Sequence, residues 1–160
     1  MTWRTASRIG FLLGVLALAA LVLRHAILAG GPVAAAIQVL AVGLMVWARV
    51  VFGSRSFHAS AEATEGGLVT TGPYRVIRHP IYTAVLLFAA AGVLSHLSPI
   101  NVLLLLVVGA GMGARIAAEE RLIIEAYPEY VEYAARTKRL IPFVFSMAAL
   151  VVTSMSSAVR

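Results

Sequence analysis

The sequence contains no cysteine and has few charged residues. Across its 160 residues, the absence of cysteine excludes disulfide bonds, thiolate catalysis and cysteine-based metal sites. Charged residues make up 12% of the chain, against roughly 25% in ordinary soluble domains, and hydrophobic residues make up 61%. So few charges cannot cover the surface of a soluble domain of this size. The composition therefore predicts an integral membrane protein that forms one domain over residues 1–160.

Long uncharged runs predict an all-α fold, a polytopic bundle of about four transmembrane helices. A helix needs roughly 20 mostly apolar residues to cross the hydrocarbon core of a bilayer. A turn signal at Ser95–Pro99 divides the longest run, so that the third and fourth helices would form a tight hairpin. A shorter run, 141–152, is predicted to be interfacial or re-entrant. The predicted spans lie near residues 9–29, 33–52, 80–96 and 99–117.

The charged residues indicate which way the bundle faces. With four spans, both termini and the loop between the second and third spans share one side of the membrane. All of the 13 basic residues except Arg24 and Arg160 fall on this side, which the positive-inside rule identifies as cytoplasmic. We therefore expect a protein of a prokaryotic inner membrane with a cytoplasmic N-terminus. Two cytoplasmic segments, 53–79 and 115–142, are then left to carry the active site.

The net charge of +6 has a simple interpretation in this setting. It sets the topology and favours contact with anionic lipid head groups. Nucleic-acid binding is not expected, because the predicted bundle offers no basic soluble surface to carry it. Membrane lipids are therefore the expected surroundings and partners of the chain, and nothing in the sequence sets an oligomeric state.

The loop before the third span ends in a pattern suited to binding an anion. Pro80 fits the first turn of a helix, where its missing N–H costs little. Arg78 and His79 then lie at the N-terminal mouth of that helix, where the helix dipole and free amides attract negative charge. Tyr74 and Tyr82 place two aromatic rings nearby. The structural alternative is that these side chains only anchor the helix at the membrane interface.

The segment after the fourth span carries two adjacent carboxylates. Arg115 and Glu119 share a helix face, and Glu120 lies about 100° further round the helix. Because the third and fourth spans form a hairpin, the start of the third should lie beside the end of the fourth. The chain up to residue 139 continues with helical spacing and predicts a cytoplasmic capping helix, interrupted at Pro128. The side chains expected to converge are Arg78, His79, Tyr82, Arg115, Glu119 and Glu120.

Glycines in the fourth span invite a different interpretation, which we reject. The sequence Gly109-Ala110-Gly111-Met112-Gly113 resembles phosphate-binding motifs of soluble dinucleotide enzymes. Those motifs require a preceding strand and a βαβ unit, neither of which a transmembrane helix supplies. We expect Gly109 and Gly113 to allow close helix packing instead. No metal site is expected, because the four histidines have no partners at ligand spacing.

The two cytoplasmic segments together resemble the isoprenylcysteine carboxyl methyltransferase family. The resemblance covers roughly residues 66–145, in the order and spacing of the family. It implies S-adenosylmethionine as the methyl donor, bound at the cytoplasmic helix ends, and a lipophilic acceptor that enters from the bilayer. Membrane phospholipid N-methyltransferases look similar in this region, as do some sterol reductases, which use NADPH. The matching segments are 68–74, Arg78-His79-Pro80-Ile81-Tyr82, Arg115-Ile116, Glu119-Glu120, 129–133 and 139–143.

Methyl transfer from a sulfonium is an in-line displacement that mainly requires positioning and electrostatics. A carboxylate acceptor needs no general base, whereas an amine acceptor needs one, and Glu120 is the only obvious candidate. The alternatives to a lipid carboxylate methyltransferase are an amine N-methyltransferase, an NADPH-dependent reductase and a non-catalytic membrane partner protein. The candidate donor-binding residues are Tyr74, His79, Tyr82, Glu119 and Glu120. The candidate catalytic residues are Arg115, Glu120 and Arg78.

Overall fold

The computed structural model describes residues 3–53 and 68–140, and within these ranges the fold is all-α, as predicted. A single 3₁₀ turn, Gly72–Arg75, precedes the third helix. The run 141–152, predicted to be interfacial or re-entrant, lies outside the described residues. The helices are α1 (Trp3–Leu23), α2 (Pro32–Phe52), α3 (Pro80–Ser95), α4 (Pro99–Ala126) and α5 (Tyr130–Arg136).

The four long helices pack as two pairs that the α3–α4 hairpin joins. α1 runs along α4, and α2 runs along α3. Near one end of the first pair, Gly10 lies against Gly111. At its other end, the Arg24 guanidinium donates a 2.7 Å hydrogen bond to the Asn101 side-chain oxygen. α1 and α4 are therefore antiparallel, and the start of α1 lies near the part of α4 that carries Arg115.

The surface of the bundle is strongly apolar. Large hydrophobic side chains are exposed along three helices, for example Leu16 on α1, Leu40 on α2 and Leu106 on α4. By length and composition, α2 and α4 are able to cross a membrane. The apolar parts of α1 and α3, Ser7–Leu23 and Pro80–Ser95, are shorter. A membrane location is thus supported, and the count of four spans stays a prediction.

The first helix ends earlier than the apolar run suggested. The run was expected to span residues 9–29, but α1 ends at Leu23. The chain turns because His25 adopts a left-handed conformation with φ 54°. The amides of His25 and Ala26 donate to the carbonyls of Val22 and Leu21, as in a Schellman motif. Ala26 then packs against Leu21 in a buried apolar cluster, which stabilises the early end.

Within the described residues, the expectation that Gly109 and Gly113 mediate close packing is wrong. A methyl group at either position would have no neighbour within 4 Å there. The close approach is made instead by Gly111, where a methyl group would collide with the carbonyl oxygen of Gly10 in α1. The error has a simple cause, because an i,i+4 glycine pair does not reveal which face of the helix meets a neighbour. The rejection of a nucleotide-binding loop holds, since all three glycines lie inside α4.

The end of α2 holds the turn that leads into α3. Gly72 has φ 57°, and a methyl group there would lie 2.8 Å from a Val51 side-chain carbon. Glycine is therefore needed both for the backbone conformation and for the close contact. Two residues further on, the Tyr74 ring packs on Phe52 with 5.5 Å between ring centroids. These contacts fix where the following residues approach the start of α3.

Candidate functional site

A short parallel pairing of two extended segments places Arg78 and His79. The Arg78 amide donates to the Lys138 carbonyl at 2.7 Å, and the His79 amide donates to the Arg139 carbonyl at 3.2 Å. In return, the Lys138 amide donates to the Val76 carbonyl at 2.9 Å. The chain that follows α5 therefore lies directly alongside the entrance to α3. Backbone bonds, and not side-chain contacts alone, bring Arg139 to the site.

α3 begins immediately after this pairing. Pro80 occupies its first turn, and His79 is the residue that precedes the helix. Thr83 closes the turn, because its hydroxyl lies within hydrogen-bond distance of both the His79 carbonyl, at 3.1 Å, and the Leu140 carbonyl, at 3.0 Å. His79 itself is only 8% exposed. The imidazole is thus held at the mouth of α3 and directed into the protein.

Glu120 is surrounded by donors on both carboxylate oxygens. Its Oε1 lies 3.2 Å from Nε2 of His79 and 3.3 Å from Nε of Arg78. The Tyr130 hydroxyl donates to the same oxygen at 3.3 Å. Arg139 donates from Nη2 to Oε2. The side chain is about one tenth exposed, so the carboxylate lies in a buried and largely cationic environment.

Glu119 takes a different set of partners. The Tyr82 hydroxyl donates to its Oε1 at 2.6 Å, and Arg115 donates from Nε to the same oxygen at 2.9 Å. The Arg115 Nε also donates to the Tyr82 hydroxyl oxygen at 2.8 Å. On its other side, the guanidinium carbon of Arg115 lies 4.5 Å from the centroid of the Phe11 ring. The adjacent carboxylates of α4 therefore serve separate groups.

His79 connects the two halves of this cluster. Its Nδ1 lies 3.9 Å from Oε2 of Glu119, while its Nε2 contacts Glu120. Its ring is also 5.7 Å from the Tyr82 ring, centroid to centroid. The start of α3, the C-terminal part of α4 and the chain after α5 thus form one continuous network of ionisable groups.

The network fixes the charge state of Glu120, which lies beyond the part of α4 predicted to span the membrane. Burial opposes ionisation, but hydrogen bonds and charge from His79 and Arg139 outweigh it and lower the pKa of Glu120 to about 2. Burial raises the pKa of Tyr130, and the negative charge of Glu120 raises it further. At neutral pH the site therefore holds an ionised Glu120 next to a protonated Tyr130.

Six of the seven residues singled out from the sequence converge in this network. Tyr74 is the exception. Its ring packs on Phe52, and its carbonyl accepts a 2.6 Å hydrogen bond from the Tyr133 hydroxyl. The Tyr74 ring therefore packs against the end of α2, and its described contacts do not include either carboxylate. The converging residues are Arg78, His79, Tyr82, Arg115, Glu119 and Glu120.

Comparison with known proteins assigns the chain to a family. The sequence profile described as phospholipid methyltransferase matches residues 26–130, which is more than half of the chain. The chain belongs to the phospholipid methyltransferase family. The match includes the start of α3 and the two carboxylates of α4, and it confirms the resemblance to membrane methyltransferases. Membership indicates a membrane methyltransferase and leaves the acceptor open.

Two curated relatives also match, over a shorter stretch. The cobalt-zinc-cadmium resistance protein CzcN of Cupriavidus metallidurans is 37% identical over 76 residues, which are 47% of this chain and 35% of that protein. The nickel-cobalt-cadmium resistance protein NccN of Alcaligenes xylosoxydans xylosoxydans is 33% identical over 76 residues, which are 47% of this chain and 36% of that protein. The match thus spans about a third of each relative. No solved structure matches the chain.

The names of these relatives refer to metal resistance, which makes the presence of a metal site in this chain relevant. In residues 3–53 and 68–140, no group of three or more histidine, aspartate or glutamate side chains is arranged to hold a metal ion. Glu119 and Glu120 are instead engaged with arginine and tyrosine side chains, and His79 lies against both carboxylates. The described part of this phospholipid methyltransferase family member therefore offers an ion-pair network at this position.

Sequence reasoning missed three members of the network. Arg139 and Tyr130 belong to segments that carried the family resemblance, yet only the fold shows that both contact Glu120. The signal available in the sequence was a tyrosine at the start of α5 and an arginine just after its end. Both side chains are able to donate a hydrogen bond to a carboxylate. Phe11 gave no signal, because it lies more than a hundred residues from Arg115 in the chain. Phe11 and Arg139 both lie outside the segment that matches the phospholipid methyltransferase profile.

Proposed function

We propose that this chain is an S-adenosylmethionine-dependent methyltransferase that methylates the carboxylate of a lipophilic acceptor at the cytoplasmic face of a prokaryotic inner membrane. Family membership supports methyl transfer. The apolar surface of the bundle supports an acceptor that arrives through the bilayer. The cytoplasmic orientation follows from the distribution of basic residues. The proposed acceptor class is an isoprenylcysteine or another lipid carboxylate.

The observation that carries the choice of acceptor is the set of donors around the Glu120 carboxylate, which favours its ionised form. With a pKa lowered to about 2, this carboxylate is a weak base at neutral pH. An amine acceptor must lose a proton on methylation, and Glu120 was the obvious group to take it. A carboxylate acceptor is already ionised and needs only to be positioned. The lowered pKa therefore favours the carboxylate.

Two buried donors in the described part of the chain lack a hydrogen-bond partner, and these are the Nε atoms of Arg78 and Arg139. The Arg78 Nε lies 3.3 Å from Glu120, close enough for an ion pair but without hydrogen-bond geometry. Unpaired buried donors are costly, so an acceptor carboxylate that reached either donor would be stabilised by it. Arg78 and Arg115 are the residues that we expect to orient the acceptor.

The remaining groups suit the methyl donor. When bound, S-adenosylmethionine supplies a methyl group already activated by a sulfonium. His79 and the amides at the mouth of α3 would hold its carboxylate. Glu119 would hold its ammonium or ribose hydroxyls, and the Tyr82 ring would face the cationic sulfur. Glu120 fixes His79 and two arginines in place, so its role in this scheme is electrostatic.

A second candidate is N-methylation of a phospholipid amine, which the description of the matching family favours. The same donor site would serve both reactions. The two differ in the acceptor atom, because one forms an ester and the other forms a C–N bond. That difference is chemically testable without knowledge of the native substrate.

The cofactor is tested by calorimetric titration of the detergent-purified protein with S-adenosylhomocysteine, with NADPH in parallel. We expect the wild-type protein and Glu125→Gln to bind S-adenosylhomocysteine, and Glu120→Gln to lose binding. Glu125 is the matched control, since it lies on the same helix and is exposed. Binding of NADPH alone would instead support a reductase. If a folded sample bound neither ligand, the result would support a non-catalytic protein.

The acceptor is tested with methyl-labelled S-adenosylmethionine and vesicles that contain either N-acetyl-S-farnesylcysteine or phosphatidylethanolamine. Methyl esters release labelled methanol in alkali, whereas N-methyl groups do not. Alkali-labile label on the farnesylcysteine supports the proposal. Alkali-stable label on the phosphatidylethanolamine would replace it with the second candidate.

A further inference from the structure

The first helix lies outside the family match but inside the site. The profile begins at residue 26, whereas α1 comprises Trp3–Leu23. α1 nevertheless packs along α4, which carries Arg115, Glu119 and Glu120. The helix is therefore a candidate contributor to the chemistry that the profile does not describe.

The two helices come into close backbone contact next to Arg115. Gly10 and Gly111 meet backbone to backbone, and a methyl group on Gly10 would lie 3.3 Å from the Ala114 side chain. Phe11 follows Gly10 directly, and Arg115 lies one helical turn beyond Gly111. This close crossing brings the Phe11 ring to 4.5 Å from the Arg115 guanidinium carbon.

The Arg115 guanidinium is held from two directions. On one side, Nε donates to the Tyr82 hydroxyl at 2.8 Å and to Glu119 at 2.9 Å. On the other side lies the Phe11 ring, which is itself 38% exposed on the apolar surface. The Arg115 side chain is only one tenth exposed. An aromatic face attracts a cation that has lost part of its water, so the ring stabilises the guanidinium at the edge of the hydrocarbon region.

We propose that Phe11 is a positioning residue, whose ring orients the Arg115 guanidinium to bind the anionic group of the acceptor. The inference rests on the proposed function, because it takes Arg115 to be an acceptor-binding residue. It also adds to that function, because it makes α1 part of the acceptor site. An aliphatic side chain would fill the same space but would not attract the cation.

The kinetic test compares Phe11→Leu, which removes the aromatic face, with Phe11→Trp, which keeps it. The probe is N-acetyl-S-farnesylcysteine, and Leu12→Ala is the control, because Leu12 is a neighbouring side chain that is 59% exposed. We expect Phe11→Leu to raise KM for the acceptor by about three- to tenfold, within the range for cation–π contacts. Phe11→Trp and Leu12→Ala should keep KM near the wild-type value. The affinity for S-adenosylhomocysteine should be unchanged in all three.

Several outcomes would overturn the inference. Wild-type KM in Phe11→Leu would show that the ring has no role. Equal losses in Phe11→Leu and Phe11→Trp would indicate packing alone, and a matching loss of S-adenosylhomocysteine affinity would place the effect at the donor.

The contact can also be tested without activity. A double-mutant cycle of Phe11→Leu and Arg115→Gln, measured by thermal unfolding, should show coupling between the two side chains. Additive effects would overturn the inference. If the wild type does not methylate the probe, the proposed acceptor fails, and the cycle alone decides whether Phe11 positions Arg115.

Discussion

Nε2 of His79 lies 3.2 Å from Oε1 of Glu120, and this contact connects the start of α3 to the C-terminal part of α4. The same oxygen is shared with Arg78 and Tyr130, while Arg139 takes the other oxygen. One carboxylate therefore holds together groups from three separate parts of the chain. Its removal is the most informative single change in the site.

Glu120→Gln should abolish turnover and lower thermal stability. The substitution removes the negative charge that faces two partly buried arginines and a buried histidine, and leaving a buried charge without its partner is destabilising. Because His79 and Arg78 would no longer be held, we expect turnover to fall on the order of 100-fold or more, as expected for misplacement of about 1 Å. The measurements are methyl-transfer rates and the thermal melting temperature in detergent.

Glu125→Gln is the control for this experiment, because it makes the same chemical change at an exposed position of α4. Wild-type rates in Glu120→Gln would remove Glu120 from the site. Wild-type stability together with lost turnover would mean that the network has a purely functional role.

The pKa of Glu120 gives a pH-dependent form of the same test. Its folded-state pKa of about 2 is below the ordinary value of 4.5. A lowered pKa means that its contribution to stability is fully present above the ordinary value and is lost as the pH falls through the folded-state value. The difference in melting temperature between the wild type and Glu120→Gln should therefore be constant from about pH 8 to about pH 5.

Below about pH 4.5 that difference should shrink as the carboxylate becomes protonated. Differential scanning fluorimetry across this range is the measurement. A difference that collapses already near pH 6 would assign the titration to a group other than Glu120.

Tyr82→Phe and Tyr74→Phe form a matched pair that separates the two tyrosines of the predicted donor site. The Tyr82 hydroxyl donates to Glu119 and accepts from Arg115, so its removal leaves both with fewer partners. We expect a loss of about 1 kcal/mol in stability and about tenfold in kcat/KM. Tyr74 makes its described contacts with its ring and its backbone carbonyl, which phenylalanine retains.

Tyr74→Phe should therefore behave like the wild type in both kinetics and thermal melting. A tenfold loss there would support the prediction made from the sequence, in which Tyr74 contacts the donor. Equal effects of both substitutions would mean that the hydroxyl network around Glu119 has no special role.

The helices and the junction of α3 and α4 could be anticipated from the sequence for local reasons. Uncharged runs bounded by Pro32, Pro80 and Pro99 coincide with helix starts, because proline fits the first turn. The hairpin follows from one short turn, so the start of α3 must lie near the end of α4. Both inferences use residues that are close in sequence, where geometry leaves few choices.

What could not be anticipated depends on contacts between distant segments. Phe11 and Arg115 meet only because α1 packs on α4, and no periodicity within either helix selects that partner. Arg139 reaches Glu120 through backbone pairing after α5, which its own sequence does not signal. The end of α1 at Leu23 also escaped prediction, because His25 adopts a conformation that is uncommon outside glycine.

Gly111→Ala and Gly113→Ala form the last matched pair, and they test how α1 is held against the site. A methyl group at Gly111 would collide with the Gly10 carbonyl oxygen, and the backbone must move to admit it. We expect Gly111→Ala to destabilise the protein by about 1–3 kcal/mol, as overpacking does. By moving α1 it should also lower the affinity for the acceptor, because Phe11 would separate from Arg115.

Gly113→Ala adds the same methyl group two residues away, where it meets open space. Alanine is the better helix former, so this variant should be as stable as the wild type or slightly more so. Thermal melting and the KM for the acceptor, measured on both variants, show which face of α4 contacts α1. If Gly113→Ala were the damaging change, the contact face of α4 would be the one suggested by the glycine spacing in the sequence, and α1 would have to pack elsewhere.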